Sequence, residues 1–223
     1  MELAQLAVFV QPPTAGKVKT RLADVFGKRG AAELYRAFVE DTLGLCARVR
    51  SAGRVEMALW SAGPLDQNVS QWANQLGVLV QLQPEGDLGT KLGAAYEEGL
   101  RRFQRVVVIG SDSPTLPIGL IGAAFRSLQE APFVLGPSND GGYYAVGASH
   151  RMRPSFEGVR WSTAHALDDT INANPERQVA IIPPWYDIDE PEDLAVLRAH
   201  ISVAPNAAPA TARYLQKLAG AQR

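Results

Sequence analysis

Four consecutive β-branched residues, Val106, Val107, Val108 and Ile109, restrict what this chain can fold into more than any other stretch. A strand with one wet face alternates apolar and polar residues. An unbroken apolar run must be covered on both faces, as in a strand inside a parallel sheet. Gly110 lets the backbone turn, and Asp112 follows between Ser111 and Ser113. Pro114 and Pro117 then stop the strand and stiffen the approach to the next helix. In open α/β sheets, ligands collect outside the carboxyl ends of the strands. A carboxylate there, flanked by two hydroxyls, is suited to hold a divalent cation against a phosphate. The plainer alternative is that Asp112 caps the following helix or pins a turn.

The rest of the chain alternates between the two periodicities. Strands are expected at 3–10, 55–60, 78–82, 133–136, 143–146 and 179–182. Helices are expected at 30–49, 66–76, 90–103, 118–128, 163–171, 188–201 and 210–219, with Thr90 as an N-cap. The strands at 133–136 and 143–146 flank an Asp-Gly turn and read as a hairpin, which makes the sheet mixed. The expected architecture is a single α/β domain over 1–201, a three-layer α/β/α sandwich with a mixed, mostly parallel central sheet. Residues 202–223 read as an Ala/Pro-rich tail whose terminal helix packs on the body or on a second subunit.

Composition removes several function classes. A formal net charge of −1 gives no general basic footprint for nucleic acid. Cys46 is the only cysteine, so no intrachain disulfide forms, and a reducing, cytoplasmic setting is expected. No apolar run reaches membrane-spanning length. His150, His165 and His200 are too scattered for a metal site, and no serine sits in a Gly-x-Ser-x-Gly elbow.

Three stretches carry candidate chemistry. The loop after the first strand holds Gly16, Lys17, Lys19, Thr20 and Arg21, suited to phosphate oxygens through backbone amides and cations. It is not a Walker A loop, because Val18 follows Lys17 and Gln11 stands where glycine is needed. Asn139-Asp140-Gly141-Gly142, beside Tyr143 and Tyr144, is a hairpin turn with a second glycine. That glycine suggests a ligand close to the backbone. Asp187-x-Asp189 precedes Pro191, Glu192 and Asp193. Asp189 as a helix N-cap is the stronger reading, with a metal or substrate role second. Trp161 is core or a platform for a sugar or other acceptor.

Five motifs in order carry a family likeness. They are Phe9…Pro13-x-x-Gly16-x-x-Lys19-Thr20-Arg21-Leu22, Gly86-Asp87-Leu88-Gly89, Gly110-Ser111-Asp112-Ser113-Pro114-x-Leu116-Pro117, Asp140-Gly141-Gly142-Tyr143 and Asp187-x-Asp189-x-Pro191-Glu192-Asp193-Leu194. Over residues 3–197 the chain resembles the GT-A-like proteins of nucleotide-diphospho-sugar transferase fold labelled radical-SAM/selenodomain-associated transferases. It is more distantly similar to molybdenum-cofactor and phospholactate guanylyltransferases.

The resemblance implies a metal-dependent transferase of a nucleotide-linked substrate. Gly16, Lys17, Lys19, Thr20, Arg21, Asp87, Gly89 and Ser111 would bind nucleotide. Asp112 and Asp140 would hold Mg²⁺ or Mn²⁺ and act in catalysis. Gly141, Gly142, Tyr143, Trp161 and Thr163 would meet a small-molecule acceptor. The sequence departs from a full Asp-x-Asp at Ser111-Asp112-Ser113. It also lacks the Gly-x-Gly-x-Arg of sugar-nucleotide pyrophosphorylases. Glycosyl transfer from a nucleotide sugar is the first expectation. Nucleotidyl transfer from a nucleoside triphosphate to a phosphorylated acceptor is the second, and nucleotide binding without turnover the third. Homo-oligomerisation stays open.

Overall fold

The computed structural model describes residues 4–53, 55–175 and 178–221. Leu3 of the expected first strand, and Gln222 and Arg223 of the expected tail, lie outside them. In chain order the elements are β1 (Ala4–Val10), α1 (Ala23–Ala52), β2 (Val55–Ser61), α2 (Gln67–Leu76), β3 (Val80–Leu82), α3 (Leu88–Leu100) and β4 (Arg105–Ile109). There follow α4 (Ile118–Glu130), β5 (Phe133–Pro137), β6 (Tyr143–Ser149), α5 (Ala166–Asn172), β7 (Val179–Ile181), α6 (Asp193–Val203) and α7 (Pro209–Ala221).

Among the described residues the strands form one sheet in the order β3-β2-β1-β4-β6-β5-β7. β1 pairs in parallel with β2 and β4, β2 with β3, and β5 with β7. Only β6 runs antiparallel, and it slots between β4 and β5. The expected mixed, mostly parallel sheet is therefore the observed one. The β-branched run of β4 does what its composition demands. Val107 and Ile109 enter one apolar layer with α1, α2 and α4, and Val106 and Val108 enter the other with α3. No helix among the described residues is long and apolar enough to cross a membrane.

Several element starts differ from the sequence reading. α3 begins at Leu88, because the Asp87 carboxylate accepts the Thr90 amide at 2.8 Å; Asp87, not Thr90, is the N-cap. α6 begins at Asp193, not near 188. The Asp193 side chain accepts the amides of Asp189 and Glu190, which frees Asp189 from the capping role expected of it. α5 starts at Ala166, and Thr163 stands in the turn before it, its hydroxyl donating to the Arg160 carbonyl at 2.7 Å. α1 reaches back to Ala23 across a kink at Gly27 (φ 69°), a break that hides the first turns from a periodicity search.

The segment after 201 is packed on the body. Asp41 of α1 is buried, and its carboxylate accepts the amides of Ala210 and Thr211 at 2.8 and 2.9 Å and the Thr211 hydroxyl at 2.7 Å. Orphan N–H groups at the start of α7 are thus satisfied by another helix. Leu34 and Phe38 of α1, Leu194 and Leu197 of α6 and Ala212 of α7 share one apolar cluster. Asp41→Ala removes three hydrogen bonds at once. We expect a loss of about 2 kcal/mol in urea unfolding, with α7 amides exchanging fastest.

Candidate functional site

The site forms where β1 and β4 end side by side. After β4, Ser111 is buried, and its hydroxyl lies 2.8 Å from the hydroxyl of Tyr35 on α1. The same Tyr35 oxygen accepts the Gln11 amide at 2.9 Å. One phenol thus pins the loops after both strands, and burial raises its pKa well above the ordinary value. Beside it opens a cleft of about 250 Å³, lined by Phe9, Gln11, Tyr35, Lys91, Asp112 and Tyr143 among others.

Lys19 supplies the central cation. Its backbone is left-handed (φ 46°, ψ 46°), which turns the side chain inward from the loop. The Nζ lies 2.5 Å from Asp112 Oδ1 and 2.6 Å from Asp189 Oδ1, and 5.8 Å from the centre of the Phe38 ring. The lysine side chain is 4% exposed, whereas its partners are 45% and 44% exposed. Burial alone lowers the ammonium's pKa, but the two carboxylates more than offset this and hold it above its ordinary value.

Next to this pair the carboxylates crowd. Ligand oxygens of Asp140, Asp187 and Asp189 all lie within 4.8 Å of one another. Burial, then the charges of Asp140 and Asp189, push the Asp187 carboxyl up to about 7. Asp140 is oriented by its own turn, accepting the Ser138 hydroxyl and, at 2.8 Å, the Gly142 amide. Asp187 and Asp189 are brought in by the segment before α6. There the Ile188 amide donates to the Asp112 carbonyl at 3.0 Å and the Asp187 amide to Asn139 Oδ1 at 3.2 Å. Three converging carboxylates with mutual repulsion fit a hard divalent cation. A second cavity of about 460 Å³ is lined by Lys19, Thr20, Arg21, Asp140, Thr163 and Asp189 among others.

The expected residues are distributed unevenly about this centre. Asp112, Ser111 and Tyr143 meet at the first cleft; Lys19, Thr20, Arg21, Asp140 and Thr163 meet at the second cavity. Asp140 belongs to the three-carboxylate group and Asp112 does not; the two expected metal residues are linked through Lys19 and Asp189. Arg21 pairs with Glu190 at 2.8 Å in the open. Gly16 and Lys17 are exposed and line neither cavity.

Asp87 caps α3 and accepts the Trp161 indole N–H at 3.2 Å. Gly89 is buried where a Cβ would come 2.7 Å from Phe156 Cβ, so packing alone calls for glycine there. Gly141 (φ 85°) lies against the Ala164 backbone, where a Cβ would come within 2.4 Å of its carbonyl oxygen. Its glycine follows from chain packing as well as from any ligand. Gly142 contributes the amide that Asp140 accepts. Trp161 packs on Phe156 and Tyr143, with ring centres 6.0 and 6.3 Å away.

With this geometry in place, the chain can be set beside known proteins. A family model described as "Uncharacterized protein conserved in bacteria (DUF2064)" matches residues 45–163. The chain belongs to the DUF2064 family. A crystal structure from Desulfovibrio desulfuricans G20, provisionally described as a nucleotide-diphospho-sugar transferase, is 30% identical to it. That match has a TM-score of 0.85 and covers 97% of this chain and 95% of the other. The 2-phospho-L-lactate guanylyltransferase of Methanothermobacter thermautotrophicus is 25% identical over 187 residues, 82% of this chain and 79% of the relative. A nucleotidyl transferase from Methanothermobacter, 13% identical with a TM-score of 0.61 over 92% of this chain and 100% of its own, shares the fold. The fold of this DUF2064 chain is thus of the nucleotide-diphospho-sugar transferase type, and its relatives are transferases. Glycosyl transfer, the first expectation from the sequence, draws no specific support from them.

The two cations of the loop should respond differently to removal. Lys19→Met strands two carboxylates at a buried cation position. Because those carboxylates are nearly half exposed, we expect a loss of about 1–3 kcal/mol, below the range for a fully buried pair. Arg21→Met breaks an exposed pair and should change stability by less than about 0.5 kcal/mol. Paired urea titrations measure both.

Proposed function

We propose that this DUF2064 chain is a divalent-metal-dependent nucleotidyltransferase, passing the nucleotidyl group of a nucleoside triphosphate to a phosphate-bearing small molecule. The observation that carries this reading is the position of the charged centre. The buried Lys19 ammonium ties Asp112, which lines the first cleft, to Asp189, which lines the second cavity and groups with Asp140 and Asp187. Such a centre suits phosphoryl chemistry, in which the protein positions two anionic reactants and balances charge. The guanylyl transfer named for the 25% identical relative supports the same class.

In this reading the first cleft takes the nucleoside, against Phe9, Tyr35 and Tyr143, with Ser111 near the phosphates. The second cavity takes the acceptor, against Thr20, Arg21 and Thr163. An oxygen of the acceptor phosphate attacks the α-phosphorus. The bond from that phosphorus to the bridging α–β oxygen breaks, and pyrophosphate leaves. Asp140, Asp187 and Asp189 would hold Mg²⁺ or Mn²⁺, which supplies Lewis-acid stabilisation of the charge on the transferring group. Lys19 keeps Asp112 and Asp189 in register and offsets part of the same charge. Asp112, at the mouth of the first cleft, orients the triphosphate side of the centre.

Glycosyl transfer from a nucleotide sugar is the second reading, favoured by the hydroxyls of Thr20, Ser162 and Thr163 around the second cavity. Products separate the two, since nucleotidyl transfer releases pyrophosphate and glycosyl transfer releases a nucleoside diphosphate. We expect pyrophosphate from a panel of nucleoside triphosphates and phosphorylated acceptors with Mg²⁺ or Mn²⁺. Asp189→Asn should lower its release by at least about 100-fold. Nucleoside diphosphate from a nucleotide sugar would reverse the choice. Binding of nucleotide without turnover of either kind would favour a non-catalytic protein.

A further inference from the structure

The carboxylates of Asp187 and Asp189 stand on a stretch without regular structure, between β7 and α6. Such a stretch does not hold two like charges together on its own. Ile188, fully buried, anchors its middle. One residue before Asp187, a second device begins. The Thr115 hydroxyl donates to the Tyr186 hydroxyl at 2.6 Å, and the Tyr186 oxygen lies 2.7 Å from His200 Nδ1. The phenol has one proton. With Thr115 donating to its oxygen, the phenol's own proton is free for Nδ1, an arrangement that calls for the Nε2–H tautomer of His200. Trp185 stacks on Tyr186 with ring centres 5.3 Å apart, and meets the His200 ring edge-on at 5.8 Å.

The three members come from the three parts of the chain that must agree on the site's shape. Thr115 is buried in the loop that carries Asp112. Tyr186 adjoins Asp187 in sequence, and His200 sits in the last turn of α6, the helix that follows Asp189. We propose that Thr115, Tyr186 and His200 form a positioning relay that fixes Asp187 and Asp189 for a divalent cation. The inference rests on the metal reading above and deepens it. None of the three touches the reacting groups. They act through the backbone they hold, as outer partners do around metal ligands.

The test is Mn²⁺ binding by the full chain, followed by electron paramagnetic resonance with the metal alone. Tyr186→Phe keeps the ring and its stacking but removes the hydroxyl, and should weaken Mn²⁺ binding about tenfold. His200→Leu should weaken it to a similar degree, whereas His200→Gln, which retains an acceptor, should restore most of the affinity. Tyr186→Phe combined with His200→Leu should lose little more than either alone, because the two act as one unit. A merely structural triad gives a different pattern. Unfolding midpoints would fall while folded protein bound Mn²⁺ as tightly as the parent, and that result overturns the proposal. A His200→Gln variant no better than His200→Leu overturns it as well. A parent chain that binds no Mn²⁺ overturns the metal reading and this inference with it. A parent that binds Mn²⁺ beside an unchanged Tyr186→Phe overturns this inference alone.

Discussion

The bridge from Lys19 to Asp112 and Asp189 is the interaction on which the site depends. It joins the loop after β1, the loop after β4 and the segment before α6, which are far apart in the chain and share no strand or helix. An ammonium with three donors can satisfy two carboxylates at once where a planar guanidinium would demand a wider gap. The left-handed backbone at Lys19 is the local cost, of order 1 kcal/mol for a non-glycine residue. The buried neighbours Val18 and Leu22 hold the loop in that conformation.

Much of this was legible in the residues, and the part that was not has a physical reason. The run at 106–109 specifies a strand covered on both faces, because no other element buries four successive β-branched side chains so well. The Asp-Gly turn at 140–141 specifies the antiparallel hairpin. Asp112 and Asp140 follow from their places at strand ends. Sequence spacing does not reveal which charges face one another. Lys19 and Asp189 are 170 residues apart, and nothing local to either marks the other. At its helical spacing in α1, Tyr35 is indistinguishable from an ordinary apolar core position. Its hydroxyl became visible as a clasp only once Gln11 and Ser111 came beside it. Asp189 has the sequence look of an N-cap, an Asp ahead of Pro-Glu-Asp, but the Asp193 side chain takes the local amides instead.

The two cavities also show why five modest motifs fall in the order they do. Each ends at the same rim of the sheet, because parallel strands deliver all their carboxyl ends to one side. β5 delivers the Asp140 turn to that rim at its carboxyl end, and the antiparallel β6 starts back from it.

The capping of α7 by Asp41 sets a timetable for the chain. α1 emerges early in synthesis, yet its outer apolar face and its buried carboxylate find partners only 169 and 170 residues later, at Ala210 and Thr211. Until then the helix that carries Tyr35 and Phe38 keeps one flank open to water. A nascent chain, growing at about 5–20 residues per second, therefore spends roughly ten seconds or more with that flank uncovered. The helix that holds the Tyr35 clasp at the cleft is therefore fully covered only once Ala210 and Thr211 have been made.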